Sequence, residues 1–258
     1  MKRMIPLVSA LALMAGAATA ADIKVGVSPG EHAEIMEEVA RVAEPMGIEI
    51  DVVEFSDYVV PNQALADGDI EANSFQHVPY LEAQMKDRGF ALAVVGNTIT
   101  TPMGIYSDKI TDIAALEEGA TFGIPNDPTN GGRALLVLQQ LGMIKVDPAA
   151  GLVPTVLDIT ENPKDLSFKE LDAAQLPRSL ADLDAALINT NYAIASGLSP
   201  KEDSIAMESA DNPYVNVIVV QEGKEDAPWV KTLLEAYHSD EIKAFIDESY
   251  HGTVITSW

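Results

Sequence analysis

Short apolar strands alternate with amphipathic helices along the first third of the chain, and this alternation is the strongest constraint on the fold. Apolar, β-branched runs predict strands at 23–28 and 48–55, and a third strand ends at position 77. Apolar residues at helical spacing predict helices at 32–46 and 79–88. Strands that alternate with helices form parallel sheets covered by helices on both faces. The sequence therefore predicts an α/β protein.

A second series of strands and helices begins after an extended segment at 98–107. It comprises predicted helices at 110–116 (capped by Thr111), 131–141 and 176–183 and predicted strands at 120–125, 167–171 and 185–188. A further extended run, 214–220, could return the chain to the first unit. We therefore expect two lobes, residues 22–101 with 217–258 and residues 102–216. Ligands of such sheets bind beyond the carboxyl ends of the strands, in the cleft.

The charge of the chain excludes two classes of partner. Forty acidic residues against sixteen basic ones give a net charge of −24. Nucleic-acid binding requires basic surface that displaces counterions, so nucleic acid is excluded as a partner. Attachment to anionic lipid is disfavoured for the same reason.

The first twenty residues predict export. Two basic residues, an apolar stretch and the small residues Ala18-Thr19-Ala20 have the order of a secretory signal peptide cleaved after Ala20. The sequence contains no cysteine, so disulfides and thiolate chemistry are absent. It also lacks the residue that carries the lipid of bacterial lipoproteins. We therefore expect an exported, soluble protein without a covalent lipid anchor.

One short motif raises the possibility of catalysis. Gly26-Val27-Ser28-Pro29-Gly30 matches the GxSxG pattern of a serine hydrolase, and His251 follows downstream. That fold uses the backbone N–H after the serine to bind the oxyanion, and Pro29 has no N–H. The four histidines are scattered and match no metal-binding spacing. We therefore predict a protein that is not an enzyme and uses no metal or cofactor.

Amphipathic aromatic side chains predict one half of a binding site. Tyr58, His77 and Tyr80 each have an apolar body and a polar tip, which suits a pocket for a partly apolar ligand. Side chains two positions apart in a strand point to the same face, so Phe75 and His77 lie on one face. A histidine in such a position can equally be a structural residue of the core.

Polar residues in the second half of the chain predict the other half of the site. Arg133, near the start of a helix, could bind a carboxylate through two parallel hydrogen bonds, or form a surface salt bridge. Asn189 and Asn191 could accept hydrogen bonds from an ammonium group or cap the next helix. Asn216 interrupts an apolar strand, where a buried amide needs hydrogen-bond partners.

Long, ordered motifs carry a resemblance to a known family. They cover nearly all of the chain after the signal peptide, and include PG–HAEI (29–35), VVEFSDYVVPNQAL (52–65), ANSFQHVPYL (72–81), PNDPTNGGRALLVLQQLGMIK (125–145), LDAAQLPRSLADLDAALINTNYAI (171–194) and YVNVIVV (214–220). The chain resembles the NlpA family of periplasmic binding proteins, which are the methionine-binding components of ABC importers. The resemblance implies a type II periplasmic-binding-protein fold with two crossover segments.

The resemblance also implies roles for individual residues. Tyr58, Phe75 and His77 would enclose the methionine side chain, and Arg133 would hold the α-carboxylate. Asn189 and Asn216 would hold the polar end of the ligand. A thioether packs favourably on aromatic rings, at roughly 0.3–1.5 kcal/mol per contact.

The function expected from these observations is capture of L-methionine in the periplasm by a monomer that delivers it to the permease of an ABC importer. Alternative ligands are D-methionine, a methionine dipeptide, a methionine sulfoxide or another apolar amino acid, since the sequence does not give the volume of the pocket. An exported serine hydrolase that uses Ser28 is the alternative from another class of protein.

Overall fold

The structure is a computed structural model that describes residues 21–258. The predicted signal peptide lies outside these residues. The first unit contains β1 (Ala21–Val27), α1 (Glu31–Ala43), β2 (Ile48–Glu54), α2 (Val60–Asp67), β3 (Ala72–His77), α3 (Val78–Arg88) and β4 (Leu92–Thr100). The predicted alternation of strands and helices is therefore confirmed here. No helix within residues 21–258 has both the length and the apolar character that crossing a membrane requires.

A second unit follows. It contains β5 (Gly104–Tyr106), β6 (Thr121–Pro125), α4 (Pro128–Gln140), β7 (Lys145–Val146), β8 (Ile159–Glu161), β9 (Ser167–Leu171), β10 (Ala185–Ile188), α5 (Thr190–Ala195) and β11 (Ala206–Met207). The chain then returns to the first unit through β12 (Val215–Gln221), α6 (Pro228–Tyr237), α7 (Asp240–Tyr250) and β13 (Ile255–Thr256).

Each unit is built around one sheet. The first sheet has the strand order β13-β4-β12-β3-β1-β2, and the second has the order β11-β5-β10-β6-β9. Strand β1 pairs in parallel with β2 and β3, but β12 is antiparallel to both of its neighbours, β3 and β4. The predicted parallel sheet is therefore a mixed sheet, parallel at β1, β2 and β3 and antiparallel at β12. The chain leaves at the end of β4 and returns at the same edge, so the returning strand must run in the opposite direction.

Two short segments join the sheets, residues 101–103 and residues 208–214. The first lies inside the extended segment predicted at 98–107. The run at 214–220, interpreted as a crossing, is instead a strand of the first sheet that starts at Val215. Its apolar residues from Val217 to Val220 are all fully buried, as expected for a strand in the centre of a sheet covered on both faces.

Helices cover both faces of the first sheet. Along β12, Ile218 and Val220 pack in the core that contains α1, α6 and α7, whereas Val217 and Val219 pack in the core that contains α2 and α3. The second sheet has α4 on one face and α5 with short 3-10 turns on the other. Each sheet is therefore covered by helices or 3-10 turns on both faces.

Two predicted helices are not α-helices. The segment predicted at 110–116 forms only the 3-10 turn Ile113–Ala115, and its cap is the side chain of Asp112 rather than Thr111. The segment predicted at 176–183 forms the 3-10 helix Pro177–Asp182, which follows a separate 3-10 turn at Ala173–Gln175. Pro177 has no N–H to continue the helical hydrogen bonds of the preceding turn.

Candidate ligand-binding site

One cavity lies between the two sheets and brings together all six residues predicted for the site. Its empty space totals about 320 Å³ including the opening to solvent, but only about 20 Å³ admits the centre of a water molecule. The predicted residues that line it are Tyr58, Phe75, His77, Arg133, Asn189 and Asn216. Asn191 and Tyr80, which the sequence also indicated as possible ligand contacts, line it too, and Gln76 lines it between Phe75 and His77. His32, Thr101 and Asn130 complete the lining and were not predicted.

Aromatic rings form the wall contributed by the first unit. The ring of Tyr58 lies 6.0 Å from those of Phe75 and Tyr80, centroid to centroid. The Tyr80 hydroxyl donates to the Tyr58 carbonyl at 2.8 Å, which fixes the loop that carries Tyr58. Burial raises the pKa of Tyr58, so its hydroxyl stays protonated and donates to Asn191 Oδ1 of the second unit at 2.5 Å. This wall therefore offers apolar ring surface with its polar atoms already bonded.

His77 has a structural role and a place in the cavity at once. It is the N-cap residue of α3, and its Nδ1 accepts from the Tyr80 N–H at 3.1 Å. Nε2 consequently carries the proton and faces Asn130 Oδ1 at 3.3 Å. Burial and the nearby Arg133 charge lower the pKa of His77 to about 3, so the ring is neutral. The two interpretations of this residue, structural and ligand-facing, are therefore compatible.

Asn130 connects His77 to the second unit. Helix α4 begins at Pro128, three residues before the predicted start, so Asn130 lies in its first turn. The Asn130 Nδ2 donates to both carboxylate oxygens of Asp127, at 3.1 and 3.0 Å. Its Oδ1 therefore faces the cavity side, where it accepts from Asn189 Nδ2 at 2.8 Å as well as facing His77.

The orientation of Asn189 follows from this bond. Asn189 occupies the N-cap position of α5, but its side chain makes no capping hydrogen bond. With Nδ2 committed to Asn130, its Oδ1 is buried and has no hydrogen-bond partner among the residues the structure describes. A buried acceptor of this kind favours an N–H donor.

Arg133 is engaged in a different way from the one predicted. Its Nε donates to both oxygens of Glu208, at 3.0 and 3.1 Å, and its Nη2 donates to Glu208 Oε2 at 2.5 Å and to the Thr101 carbonyl at 2.8 Å. The Tyr214 ring covers one face of the guanidinium, 4.3 Å from Cζ to centroid. Of the three guanidinium nitrogens of Arg133, Nε and Nη2 have hydrogen-bond partners within residues 21–258, and Nη1 has none. A carboxylate in the cavity can thus meet one guanidinium nitrogen rather than two.

The salt bridge of Arg133 also differs from the predicted surface alternative. Arg133 and Glu208 are only 2% and 7% exposed. Arg133 lies in the second turn of α4, so it is not adjacent to free N–H groups at the helix start as predicted. Glu208 was missed because one acidic residue among forty carries no distinguishing signal in the sequence.

Asn216 lies at an irregularity of the first sheet. The pairing of β12 with β4 shifts register between Val215 and Val217, and the Asn216 Nδ2 donates to the Ile99 carbonyl at 3.1 Å. Bulges of this kind redirect side chains next to binding sites. The buried amide that the sequence indicated therefore has a partner, and its side chain lines the cavity.

The first turn of α1 closes the remaining side. Burial lowers the pKa of His32 to about 4, so this cavity-lining ring is neutral. A Cβ added to Gly30 would lie 2.4 Å from the Asn191 carbonyl oxygen, which shows how closely α1 and α5 approach.

Two features of the structure bear on catalysis. Ser28 is fully buried, and its Oγ has no hydrogen-bond partner in the described part of the chain. A nucleophile requires a base within hydrogen-bond reach and access to substrate, so this geometry does not support Ser28 as one. Residues 21–258 contain no group of three or more His, Asp or Glu placed to hold a metal ion.

An enclosed site between two α/β units, with aromatic rings on one side and an arginine with amides on the other, defines a two-lobed small-molecule-binding protein. The fold is the type II periplasmic-binding-protein fold. It is shared by a nutrient-binding protein from Burkholderia cenocepacia solved bound to methionine, at TM-score 0.89 and 50% identity over 92% of this chain and 100% of that chain. The crystal structure of the methionine-binding protein MetQ is similar at TM-score 0.89 and 48% identity, over 92% and 98% of the respective chains.

Sequence comparison identifies the family. The family described as NlpA lipoprotein matches residues 23–258. The D-methionine-binding lipoprotein MetQ of Escherichia coli K12 is 48% identical, over 92% of this chain and 88% of that protein. Outer membrane lipoprotein 3 of Mannheimia haemolytica is 43% identical, over 92% of this chain and 90% of that protein. The chain therefore belongs to the NlpA lipoprotein family, as its motifs predicted.

Proposed function

We propose that this protein captures L-methionine and delivers it to the permease of an ABC importer. The observation that carries the proposal is the cavity itself, in which an aromatic wall faces a buried arginine and a buried amide acceptor. The E. coli relative is named as D-methionine-binding and the Burkholderia structure was solved bound to methionine, which supports the same ligand class. Binding alone is the activity, and no chemical step is required of this chain.

The proposed ligand orientation follows from the cavity atoms that have no hydrogen-bond partner in the part of the chain that the structure describes, Arg133 Nη1 and Asn189 Oδ1. The thioether packs against Tyr58, Phe75 and His77, where sulfur–aromatic contacts contribute roughly 0.3–1.5 kcal/mol each. The α-carboxylate accepts from Arg133 Nη1, and the ammonium donates to Asn189 Oδ1. Asn216 completes the contacts to the polar end of the ligand.

Ligand binding is proposed to favour closure of the two lobes, and the closed state is the one that the permease recognises. We take lobe one as residues 22–101 with 217–258 and lobe two as residues 102–216. The two sheets support this division except at its second boundary, because β12 of the first sheet starts at Val215. Only a closed arrangement contacts a ligand from both lobes, so binding shifts the population towards closure. A permease can then distinguish the loaded monomer from the empty one.

Calorimetric titration tests the ligand. The protein is first unfolded and refolded to remove ligand carried through purification, and then titrated with L-methionine, D-methionine, methionine sulfoxide, methionyl dipeptides and leucine. We expect L-methionine to bind most tightly. Absence of heat with every amino acid would end the proposal, and tighter binding of another compound would replace the ligand.

Substitution of the arginine tests the site. Loss of a hydrogen bond to a charged group costs about 1.5–3 kcal/mol, so Arg133→Ala should weaken methionine binding by roughly 100-fold. Arg178→Ala is the matched control, because Arg178 is exposed and outside the cavity. Circular dichroism confirms that both variants are folded. Unchanged affinity in a folded Arg133→Ala variant would remove Arg133 from the site.

Location and anchoring are also proposals. Two of the relatives named above are called lipoproteins, whereas the 258 residues here contain no cysteine. We propose an exported protein that works in the periplasm without a lipid anchor. Osmotic-shock fractionation should release it with soluble periplasmic proteins, and recovery in the membrane fraction would contradict this.

An activated-serine probe should leave Ser28 unlabelled, whereas labelling would favour the hydrolase.

A further inference from the structure

A buried ion pair lies where the two connecting segments meet the cavity. Arg133 belongs to the second unit, Glu208 and Tyr214 belong to segment 208–214, and Thr101 belongs to segment 101–103. The bonds of Arg133 to Glu208 and to the Thr101 carbonyl therefore join one helix to both connections between the lobes. Neither charge of the pair is accessible to solvent to a significant degree.

The Glu208 carboxylate is fixed by contacts that do not involve a ligand. Its Oε2 accepts from the Met103 N–H at 3.0 Å, while its own backbone N–H donates to the Met103 carbonyl at 2.9 Å. Its two oxygens also accept three hydrogen bonds from Arg133. The carboxylate is thus held at one position next to the guanidinium.

The pair determines the charge of the cavity. The lining histidines are neutral near pH 7, since burial lowers the pKa of His32 to about 4 and that of His77 to about 3. The other lining side chains are tyrosine, phenylalanine, threonine and amides. Arg133 is therefore the one charged residue that lines the cavity within the described chain, and Glu208 cancels it.

We propose that Glu208 is a positioning and specificity-determining residue, which presents Arg133 Nη1 to the ligand and makes the site selective for net-neutral zwitterions. This inference rests on the proposed function of amino-acid binding. A site with an uncompensated arginine would favour an anion, because an anion supplies the missing charge and brings no ammonium to be repelled. With Glu208 present, an amino acid that carries one charge of each sign matches a site that also carries one of each.

Two ligands of equal size isolate this effect. L-Methionine is a zwitterion, and its 2-hydroxy analogue replaces the ammonium with a hydroxyl and is an anion. The measured quantity is the ratio of the Kd of the hydroxy analogue to the Kd of methionine at pH 7. Effects on the carboxylate and the thioether cancel in this ratio, so it reports how the site treats the ammonium.

Glu208→Gln removes the charge and keeps the size of the side chain. We expect the ratio to fall about tenfold relative to the wild type, because the ammonium loses a favourable negative charge. Glu208→Asp keeps the charge but changes the geometry, so both ligands should bind more weakly at an unchanged ratio. Glu161→Gln is the control, since Glu161 forms an exposed salt bridge with Lys145 in the same unit. A purely structural role for Glu208 would change both affinities together.

A second pair of variants tests the inference if Glu208→Gln does not fold. Arg133→Gln leaves Glu208 uncompensated, so the ratio should rise, and Arg133→Gln/Glu208→Gln should return the ratio to the wild-type value. Removal of both partners of a buried ion pair is tolerated better than removal of one. A ratio that stays within about twofold of the wild type in every variant would overturn the inference. Wild-type protein that binds no methionine would instead overturn the proposed function, and the inference with it.

Discussion

Glu31 is a buried carboxyl group outside the residues that line the cavity. It lies in the first turn of α1, is fully buried, and both of its oxygens have no hydrogen-bond partner within residues 21–258. Burial, with a smaller effect of the negative charge of Glu34, raises the pKa of Glu31 to about 8. The folded protein therefore holds a neutral carboxyl group at pH 7.

This raised pKa makes stability depend on pH in a defined direction. The unfolded chain releases the proton of Glu31 near pH 4.5, whereas the folded protein keeps it up to about pH 8. At Glu31 the folded state thus binds more protons than the unfolded state in this window, so the contribution of this residue to stability falls as the pH rises. The cost at pH 7 is on the order of 3 kcal/mol.

Glu31→Gln should remove this dependence. The glutamine is neutral in both states, so the variant should match the wild type below pH 4.5 and gain in melting temperature relative to it as the pH rises to 8. Thermal unfolding across this range measures the difference. Glu37→Gln, an exposed position of the same helix, is the control. A difference between variant and wild type that does not grow with pH would contradict the buried neutral carboxyl group.

The residues of the candidate site were predictable where their chemistry is rare in the chain. Arg133 stood out among few basic residues, and Asn216 stood out inside an apolar strand. Glu208 and Asn130 did not, since acidic residues are abundant here and Asn130 stands among Asn, Asp, Pro and Gly residues that are typical of turns. Their roles depend on contacts across 75 and 53 sequence positions, to Arg133 and His77 respectively. Local patterns do not encode such pairings.

At the scale of elements, helix and strand types were largely predictable, but the order of strands was not. Apolar runs and helical periodicity located α1, β9 and β10 within a few residues. The insertion of β12 between β3 and β4 is decided by where the chain re-enters the first unit, which no local pattern records. The sequence predicted a helix at 110–116 where only the 3-10 turn Ile113–Ala115 forms. The Asp112 side chain accepts a hydrogen bond from the Ala114 N–H and so satisfies the turn locally.

Helices α1 and α5 approach each other closely at their starts, and a substitution of Gly30 tests whether binding requires this approach. Gly30 has φ +85°, and an added Cβ would lie 2.4 Å from the Asn191 carbonyl oxygen. Gly30→Ala should therefore cost about 1–3 kcal/mol through backbone strain and also keep the two helix starts apart. We expect methionine binding to weaken roughly fivefold, because Asn191 and Tyr58 then lose their hydrogen bond, which contributes about 1 kcal/mol.

Gly47→Ala separates the two effects of that substitution. Gly47 also has a positive φ, +96°, but a Cβ there meets no atom within 4 Å. This control should lower the melting temperature through strain and leave methionine affinity unchanged. Equal affinity losses in the two variants would show that strain, and not the approach of α1 to α5, is responsible.

At the scale of the whole molecule, hydrogen bonds between the lobes hold the cavity nearly shut. Tyr58 bonds to Asn191, and the Tyr192 hydroxyl donates to the Ser56 carbonyl at 3.2 Å. Room for the centre of a water molecule amounts to about 20 Å³, so an amino acid can enter only if the lobes separate. Binding affinity must then include the free energy of opening and closure.

Tyr58→Phe should shift this balance towards the open state. The variant keeps the aromatic ring but loses the bond to Asn191, which contributes about 1 kcal/mol, so the apparent Kd for methionine should rise roughly fivefold. Small-angle scattering of the ligand-free variant should show a larger radius of gyration than the wild type. Tyr250→Phe removes a hydroxyl bond to Glu34 within lobe one, and should leave both quantities unchanged. An unchanged radius in Tyr58→Phe would mean that this bond does not control closure.

Ligand binding should also stabilise the whole molecule by mass action. Methionine at 100 times its Kd adds about 2.7 kcal/mol to the free energy of unfolding. For a chain of this size, that corresponds to a rise in melting temperature of roughly 5–10 °C. The net charge of −24 makes stability sensitive to ionic strength, so the salt concentration must be fixed across the series. Arg133→Ala at the same methionine concentration should show almost no rise, because its Kd is no longer exceeded. A wild-type melting temperature that is independent of methionine would mean that the cavity does not bind it.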